Sequence, residues 1–308
     1  MSSMFEQLSN AMADAVEALS PALVRVEARR RQAASGIVWS ADGVIVTAHH
    51  VVEMDEGIMV GMADGTERAA RLVGRDPNND LAVLKVEAAT QPAIFGGEDQ
   101  LRVGQLVLAV ARPGRTVQAT LGTVSALVDA PQRRASGSKR GRRGMGQVLT
   151  DGYIQTDVLM YPGFSGGALL GGDGKVYGLN TSGFGSGMSL AVPLTTIRNT
   201  VATLLAHGKM KQGYLGVGVQ SAQLPQALAE QVGQMVGLLV VSVEAGSPAE
   251  QGGILLGDIL LSVDGETTEH VDDLLSLLSG ARIGKAVAVR MVRAGALTEV
   301  TVMIGERA

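Results

Sequence analysis

A chain of 308 residues, 46% of them hydrophobic, is long enough to build two domains with a core each. Its formal charge of −4 excludes a globally basic nucleic-acid binder, and the absence of cysteine excludes disulfides, thiolate metal sites and a cysteine nucleophile. The 41 glycines are nearly twice the ordinary share of about 7%, and aromatics are scarce beside Val, Leu, Ala and Ile, a composition suited to short strands joined by tight turns.

Residues 4 to 19 come first, with Phe5, Leu8, Met12, Val16 and Leu19 at spacings of three or four. That stripe predicts an amphipathic helix over 1–20, packed on the body or contacting another subunit. The opening Met-Ser-Ser-Met-Phe-Glu-Gln-Leu has neither the basic start nor the apolar core of a secretory leader, and no apolar stretch approaches the ~18 residues of a membrane span. These features predict a soluble cytoplasmic protein without membrane contact, or a periplasmic or secreted one from which a leader has been removed. Short β-rich runs follow: Leu23 to Val26, Gly36 to Trp39, Val44 to Ala48, Gly57 to Met62, Leu81 to Val86, Leu106 to Ala111 and Thr120 to Val128. Regular strands without intervening helices indicate a barrel or sandwich. From Pro131 to Gly146 stand Arg133, Arg134, Lys139, Arg140, Arg142 and Arg143 with no acid and no interleaved aromatic, which reads first as a solvated loop, with contact to the acidic body, an anionic membrane or nucleic acid as the alternatives. Strands resume at Tyr153 to Asp157, Ala168 to Leu170 and Val176 to Asn180, the last two joined by the hairpin turn Gly172-Asp173-Gly174. Pro193 to His207 predicts a helix with Ile197, Val201, Leu204 and Leu205 on one face and Gly208 as its stop. A linker over 208–213 leads to a second unit, with strands at Leu238 to Val243, Ile259 to Val263, Val287 to Val292 and Val300 to Ile304 and a helix over Val271 to Leu278.

The chemistry concentrates in Gly163-Phe164-Ser165-Gly166-Gly167-Ala168-Leu169, where one serine sits in a glycine-rich turn between apolar runs. Serine is a weak nucleophile, so it needs a base, an acid to orient the base, and donors for a developing oxyanion. Upstream, Thr47-Ala48-His49-His50-Val51-Val52 offers two histidines, and Asp76 and Asp80 are rival acids before an apolar strand. The order His, Asp, Ser is that of the chymotrypsin-like proteases. Adjacent histidines are poor metal-ligand spacing, Gly280 to Lys285 is one residue short of a phosphate-binding loop, and Gly183, Gly185 and Gly187 do not complete a dinucleotide fingerprint, so neither metal nor cofactor is expected.

Together these segments resemble the HtrA/Deg family of serine proteases. The C-terminal region resembles a PDZ domain through Tyr214-Leu215-Gly216-Val217, Gly246-Ser247-Pro248-Ala249 and the run Gly257 to Gly265. The resemblance implies an all-β-dominated fold, a chymotrypsin-like double β-barrel over 21–207 followed by a PDZ-like α+β domain over 214–306. It implies His50 as the base and Asp80 as its orienter, with Asp157 a supporting acid and His49 at a variable position. Ser165 would be the nucleophile, and the N–H groups of Gly163 and Ser165 the oxyanion hole. Leu159, Met188 and Leu190 would border an uncharged specificity pocket, and Tyr214, Leu215, Gly216 and Val217 would receive peptide C-termini. The sequence departs from the family's Gly-Asn-Ser-Gly-Gly-Pro-Leu at Phe164 and Ala168, which puts a bulky ring beside the oxyanion turn. The implied function is ATP-independent cleavage of unfolded or damaged polypeptides by a homo-oligomer, a trimer by family resemblance. The alternative is a peptide-binding holdase with an inactive protease domain.

Overall fold

The computed structural model describes residues 3–30, 32–97, 101–129, 152–183, 188–210, 213–278 and 282–306. The basic run 131–146, Gly185, Gly187 and Gly280 lie outside the described residues. The described chain divides into two compact units, one ending at Met210 and the other following it.

In the first unit, helix α1 (Met4–Leu19) is capped by Ser3, whose hydroxyl accepts the Glu6 N–H. Its stripe docks only at the C-terminal end. Leu19 is buried and Met12, Ala15 and Val16 pack on the core, but Met4 and Phe5 are 83% and 84% exposed. Strands β1 (Leu23–Glu27), β2 (Ala34–Val38), β3 (Val44–Ala48), β4 (Ile58–Gly61), β5 (Glu67–Asp76) and β6 (Leu81–Val86) close a barrel in the order β1-β2-β3-β6-β5-β4. A second barrel, ordered β10-β11-β12-β9-β8-β7, is built from β7 (Leu106–Ala111), β8 (Gln118–Asp129), β9 (Gly152–Thr156), β10 (Ala168–Gly171), β11 (Val176–Thr181) and β12 (Ser189–Pro193). The architecture is the chymotrypsin-like double barrel that the resemblance implied. Closure leaves neither sheet an unpaired edge.

The barrels are joined at Ser35 on β2. Its N–H donates to the Ser165 carbonyl at 3.1 Å, and its hydroxyl donates to the Gly163 carbonyl at 2.8 Å while accepting the Arg112 N–H at 2.9 Å. Arg112 is buried, and its guanidinium donates to the carbonyls of Leu23, Arg115 and Ser20, so a desolvated charge ties the start of β1 to the end of β7. Helix α2 (Leu194–His207) follows β12 directly, with Pro193 at its N-cap and Gly208 at its left-handed C-cap. Its buried face is Leu194, Thr196, Ile197, Thr200, Val201 and Leu204. Leu205, expected on that face, is 49% exposed, because it lies one residue beyond the stripe that Ile197, Val201 and Leu204 define.

The second unit contains β13 (Gly213–Tyr214), β14 (Val217–Gln223), α3 (Gln226–Val232), β15 (Val236–Val243), α4 (Pro248–Gln251), β16 (Ile259–Val263), β17 (Glu266–Thr267), α5 (Val271–Leu277), β18 (Ala286–Arg293), β19 (Ala296–Met303) and β20 (Gly305–Glu306). Its main sheet runs β14-β15-β16-β18-β19, so β14 is an edge strand, and α5 lies against it. Leu215, Leu238, Val240, Leu260, Leu274 and Val289 are among the side chains of its own core. Asp258 on the loop before β16 pairs with Arg293 at 2.7 Å; burial opposes ionisation of this carboxyl, but the Arg293 contact and the Leu255 N–H outweigh it and hold its pKa below the usual carboxylate range. No helix among the described residues is long and apolar enough to cross a membrane.

Candidate active site

Strand register brings the first two candidate residues together. β3 and β6 pair antiparallel with Ala48 opposite Leu81, so the residues leaving β3 meet those entering β6. His49–Val51 form a single 3₁₀ turn, and Asp80 adopts a left-handed φ of 52°, a conformation that aspartate tolerates better than most residues. The Asp80 carboxylate then grips His50 twice: Oδ1 accepts the His50 backbone N–H at 2.8 Å, and Oδ2 lies 2.8 Å from Nδ1. A carboxylate can only accept there, which assigns the Nδ1 proton and leaves Nε2 as the imidazole's free lone pair. Asp80 is 3% exposed, and its Oδ2 also accepts the Thr181 hydroxyl.

Ser165 sits in the turn between β9 and β10. Gly163 and Gly166 have φ of 90° and 86°, and a Cβ at Gly166 would lie 2.0 Å from the Ser35 carbonyl oxygen, so both conformation and space require glycine there. The Phe164 N–H donates to the Tyr161 carbonyl and the Gly166 N–H to the Asn180 carbonyl, whereas the N–H groups of Gly163 and Ser165 meet no acceptor among the described residues. Two unused donors thus flank a used one. Phe164 turns away from this site. It is 1% exposed in the second barrel's core, edge-on to Tyr161 at 5.7 Å, so its bulk anchors the turn from behind.

No hydrogen bond joins His50 to Ser165 among the described residues. The Ser165 hydroxyl instead meets Ser182 Oγ at 2.9 Å and accepts the Ser182 N–H at 3.3 Å. Thr181 and Ser182 were not singled out in the sequence; the available signal was a pair of hydroxyls ending the apolar strand Val176 to Asn180.

The remaining candidates separate. His49 packs beside the site through its backbone, its N–H donating to the Asp80 carbonyl at 3.0 Å. Burial, then the neighbouring Arg75, lowers its pKa, and its Nδ1 is buried with no partner among the described residues. Asp76 is a buried acceptor for Asn79 Nδ2 at 2.9 Å and Thr200 Oγ1 at 3.0 Å. Asp157 takes the Thr123 N–H, the main cause of its lowered pKa, and the Thr123 hydroxyl at 3.1 Å. Of the pocket candidates, Leu159 is 58% exposed, Met188 is half-buried against the core, and Leu190 is buried in β12. The described residues hold no cluster of three or more His, Cys, Asp and Glu suited to a metal ion.

In the second unit, Gly216 has φ of 79°, and a Cβ there would lie 2.2 Å from the Ser247 Cβ. The carbonyls of Leu215 and Gly216 are taken by the N–H groups of Ala249 and Glu244, while their own N–H groups meet no acceptor among the described residues. Leu215 itself is buried in the core, Tyr214 pairs with Gly305 and its hydroxyl donates to Glu244, and Val217 opens β14.

Residues 34–179 match the trypsin-like peptidase domain family and residues 213–304 the PDZ domain family. A periplasmic serine endoprotease of Chlamydia muridarum described as DegP-like is 34% identical over 277 residues, covering 88% of this chain and 53% of its own. A Pseudomonas fulva protein of the same description is 36% identical over 289 residues, with 90% and 57% covered. The chain thus spans about half the length of the curated relatives it matches. Among solved structures, the HtrA-type protease AlgW with a tripeptide superposes with a TM-score of 0.71 at 31% identity, covering 96% of this chain and 97% of that one. The serine endoprotease of Yersinia pestis gives 0.71 at 30% identity, with 96% and 98% covered. With both barrels closed, both domain families matched and solved relatives at 30–31% identity covered almost end to end, the chain belongs to the HtrA-type serine protease family.

Proposed function

We propose that this chain is a serine endopeptidase acting through Ser165, His50 and Asp80. The observation that carries the reading is the double grip of Asp80 on His50 beside a serine turn that presents two unused N–H donors. In the first half-reaction the Ser165 Oγ attacks the scissile carbonyl, its proton passes to His50 Nε2, and Asp80 stabilises the imidazolium so formed. The carbonyl oxygen becomes an oxyanion received by the N–H groups of Gly163 and Ser165. His50 then protonates the leaving amine, and water, deprotonated by the same imidazole, releases the acyl group from Ser165.

Unfolded polypeptides are the proposed substrates, cut after aliphatic residues: the family resemblance puts Leu159, Met188 and Leu190, none of them charged, around the specificity pocket, and an unpaired Lys or Arg there would incur several kcal/mol of desolvation. The second unit is proposed to hold peptide C-termini: a strand added to the β14 edge would place its carboxylate at the unused N–H groups of Leu215 and Gly216. Exposed Met4 and Phe5 support a homo-oligomer, a trimer by the family resemblance. The relatives' description as periplasmic supports an exported location over the cytoplasmic one. A second reading, a peptide-binding protein with a latent protease unit, is favoured by the Ser165–Ser182 contact.

Degradation of unfolded casein tests the first reading. Ser165→Ala should reduce the rate by on the order of 10⁶, as loss of the nucleophile does in such triads, leaving none detectable. Substantial residual hydrolysis by the purified variant overturns it, and cuts predominantly after basic residues overturn the specificity.

A further inference from the structure

We propose that Ser182 is a positioning residue that holds the Ser165 hydroxyl in a resting hydrogen bond and so sets how readily Ser165 reacts. The inference rests on Ser165 being the nucleophile. Three consecutive residues at the end of β11 touch the three candidate residues one by one. Thr181 Oγ1 donates to Asp80 Oδ2, Ser182 engages Ser165 Oγ through both its hydroxyl and its N–H, and Gly183 lies against the His50–Asp80 pair so closely that a Cβ on it would be 2.7 Å from His50 Nδ1.

The Thr181 and Gly183 contacts support the charged partner and leave His50 Nε2 untouched. The Ser182 contact opposes the reaction. If Ser165 donates to Ser182, its single proton is directed away from His50; if Ser182 donates, a lone pair of the attacking oxygen is occupied. In the first case the contact must break before Oγ can give its proton to Nε2; in the second, the Ser182 hydroxyl and N–H together occupy both lone pairs of Oγ, and one must be released before it can attack a carbonyl. The backbone holds the two residues in register. Gly166 N–H donates to the Asn180 carbonyl and Asn180 N–H to the Gly167 carbonyl, both at 2.8 Å, so the β10–β11 ladder carries Ser182 beside Ser165 whatever the substrate. Ser182 is itself exposed, so removing its hydroxyl opens no core cavity.

The test is the second-order rate of fluorophosphonate labelling at Ser165 in the full chain, for the parent, Ser182→Ala and Ser182→Thr, across pH 5 to 9. Ser182→Ala should label about fivefold faster, the factor that one ordinary neutral hydrogen bond is worth, and Ser182→Thr, which keeps a hydroxyl, should return toward the parent rate. The midpoint of the pH profile should stay the same in all three, because Ser182 acts on the hydroxyl and not on the imidazole. A Ser182→Ala rate equal to or below the parent's, or a threonine variant as fast as the alanine one, overturns the proposal while leaving Ser165 as the nucleophile. If no variant labels Ser165 at all, the catalytic reading itself fails and this inference fails with it.

Discussion

Asp80 and the two histidines show how much a single residue's surroundings decide. His50 and His49 are adjacent and chemically identical, yet only His50 presents its Nδ1 to the Asp80 carboxylate; His49 contributes a backbone N–H to the Asp80 carbonyl and keeps its ring beside Arg75. His50→Ala should therefore match Ser165→Ala in the loss of casein hydrolysis, while His49→Ala should keep kcat/KM within a few-fold of the parent. Equal loss in both variants would mean that the Asp80 grip does not select the base. The residue pattern left His49 against His50 and Asp76 against Asp80 open, and only the family motif chose between them. What separates them physically is the pairing of Ala48 with Leu81, a long-range register that no local pattern encodes. Phe164 was likewise unreadable: a ring next to the nucleophile looks obstructive until the chain's course buries it behind the turn.

At the scale of elements, β5 is the largest omission. Glu67–Asp76 exposes Arg68 and Arg71, holds Arg75 partly buried against the Val52 and Met54 carbonyls, and has Ala70, Leu72, Gly74 and Asp76 as its more buried positions, too few of them large and apolar to advertise a strand. The reason is α2. A Cβ at Gly74 would lie 2.5 Å from the Gly208 carbonyl at the end of that helix, and Asp76 accepts the hydroxyl of Thr200 on its buried face. The same Asp76 binds Asn79, the residue before Asp80, so the helix is tied to the loop that carries the acid. Asp76→Ala should cost about 2–4 kcal/mol, since Thr200 and Asn79 both lose a buried acceptor. The single tryptophan, Trp39, packs at a tilt against Phe95 within the first unit, their ring centroids 4.5 Å apart, so urea titration followed by its fluorescence reads this unit alone. An unchanged midpoint would show that the network does not hold the helix. By contrast, α1, α2, α5, most strands of the first unit and β15, β16 and β18 of the second are legible within two or three residues, because their apolar periodicity is a local signal, whereas β13, β14, β17 and β20 carry too little of it.

For the whole molecule, two units divide the proposed labour. The first closes two barrels and leaves no sheet edge, whereas the second leaves the outer edge of β14 open beside α5. A peptide ending in an apolar residue with a free carboxylate should bind the full chain with micromolar to sub-millimolar affinity, and its amide should bind far more weakly, as followed by fluorescence polarisation. Equal binding of acid and amide would remove the carboxylate role of Leu215 and Gly216. If the serine in the glycine turn is the activated nucleophile of this chain, peptide mass spectrometry of the fluorophosphonate-treated protein will locate the adduct there. A single adduct on Ser165 is expected, lost in Ser165→Ala and in His50→Ala. An adduct on any other residue, or a chain that degrades casein without forming one, would contradict that assignment.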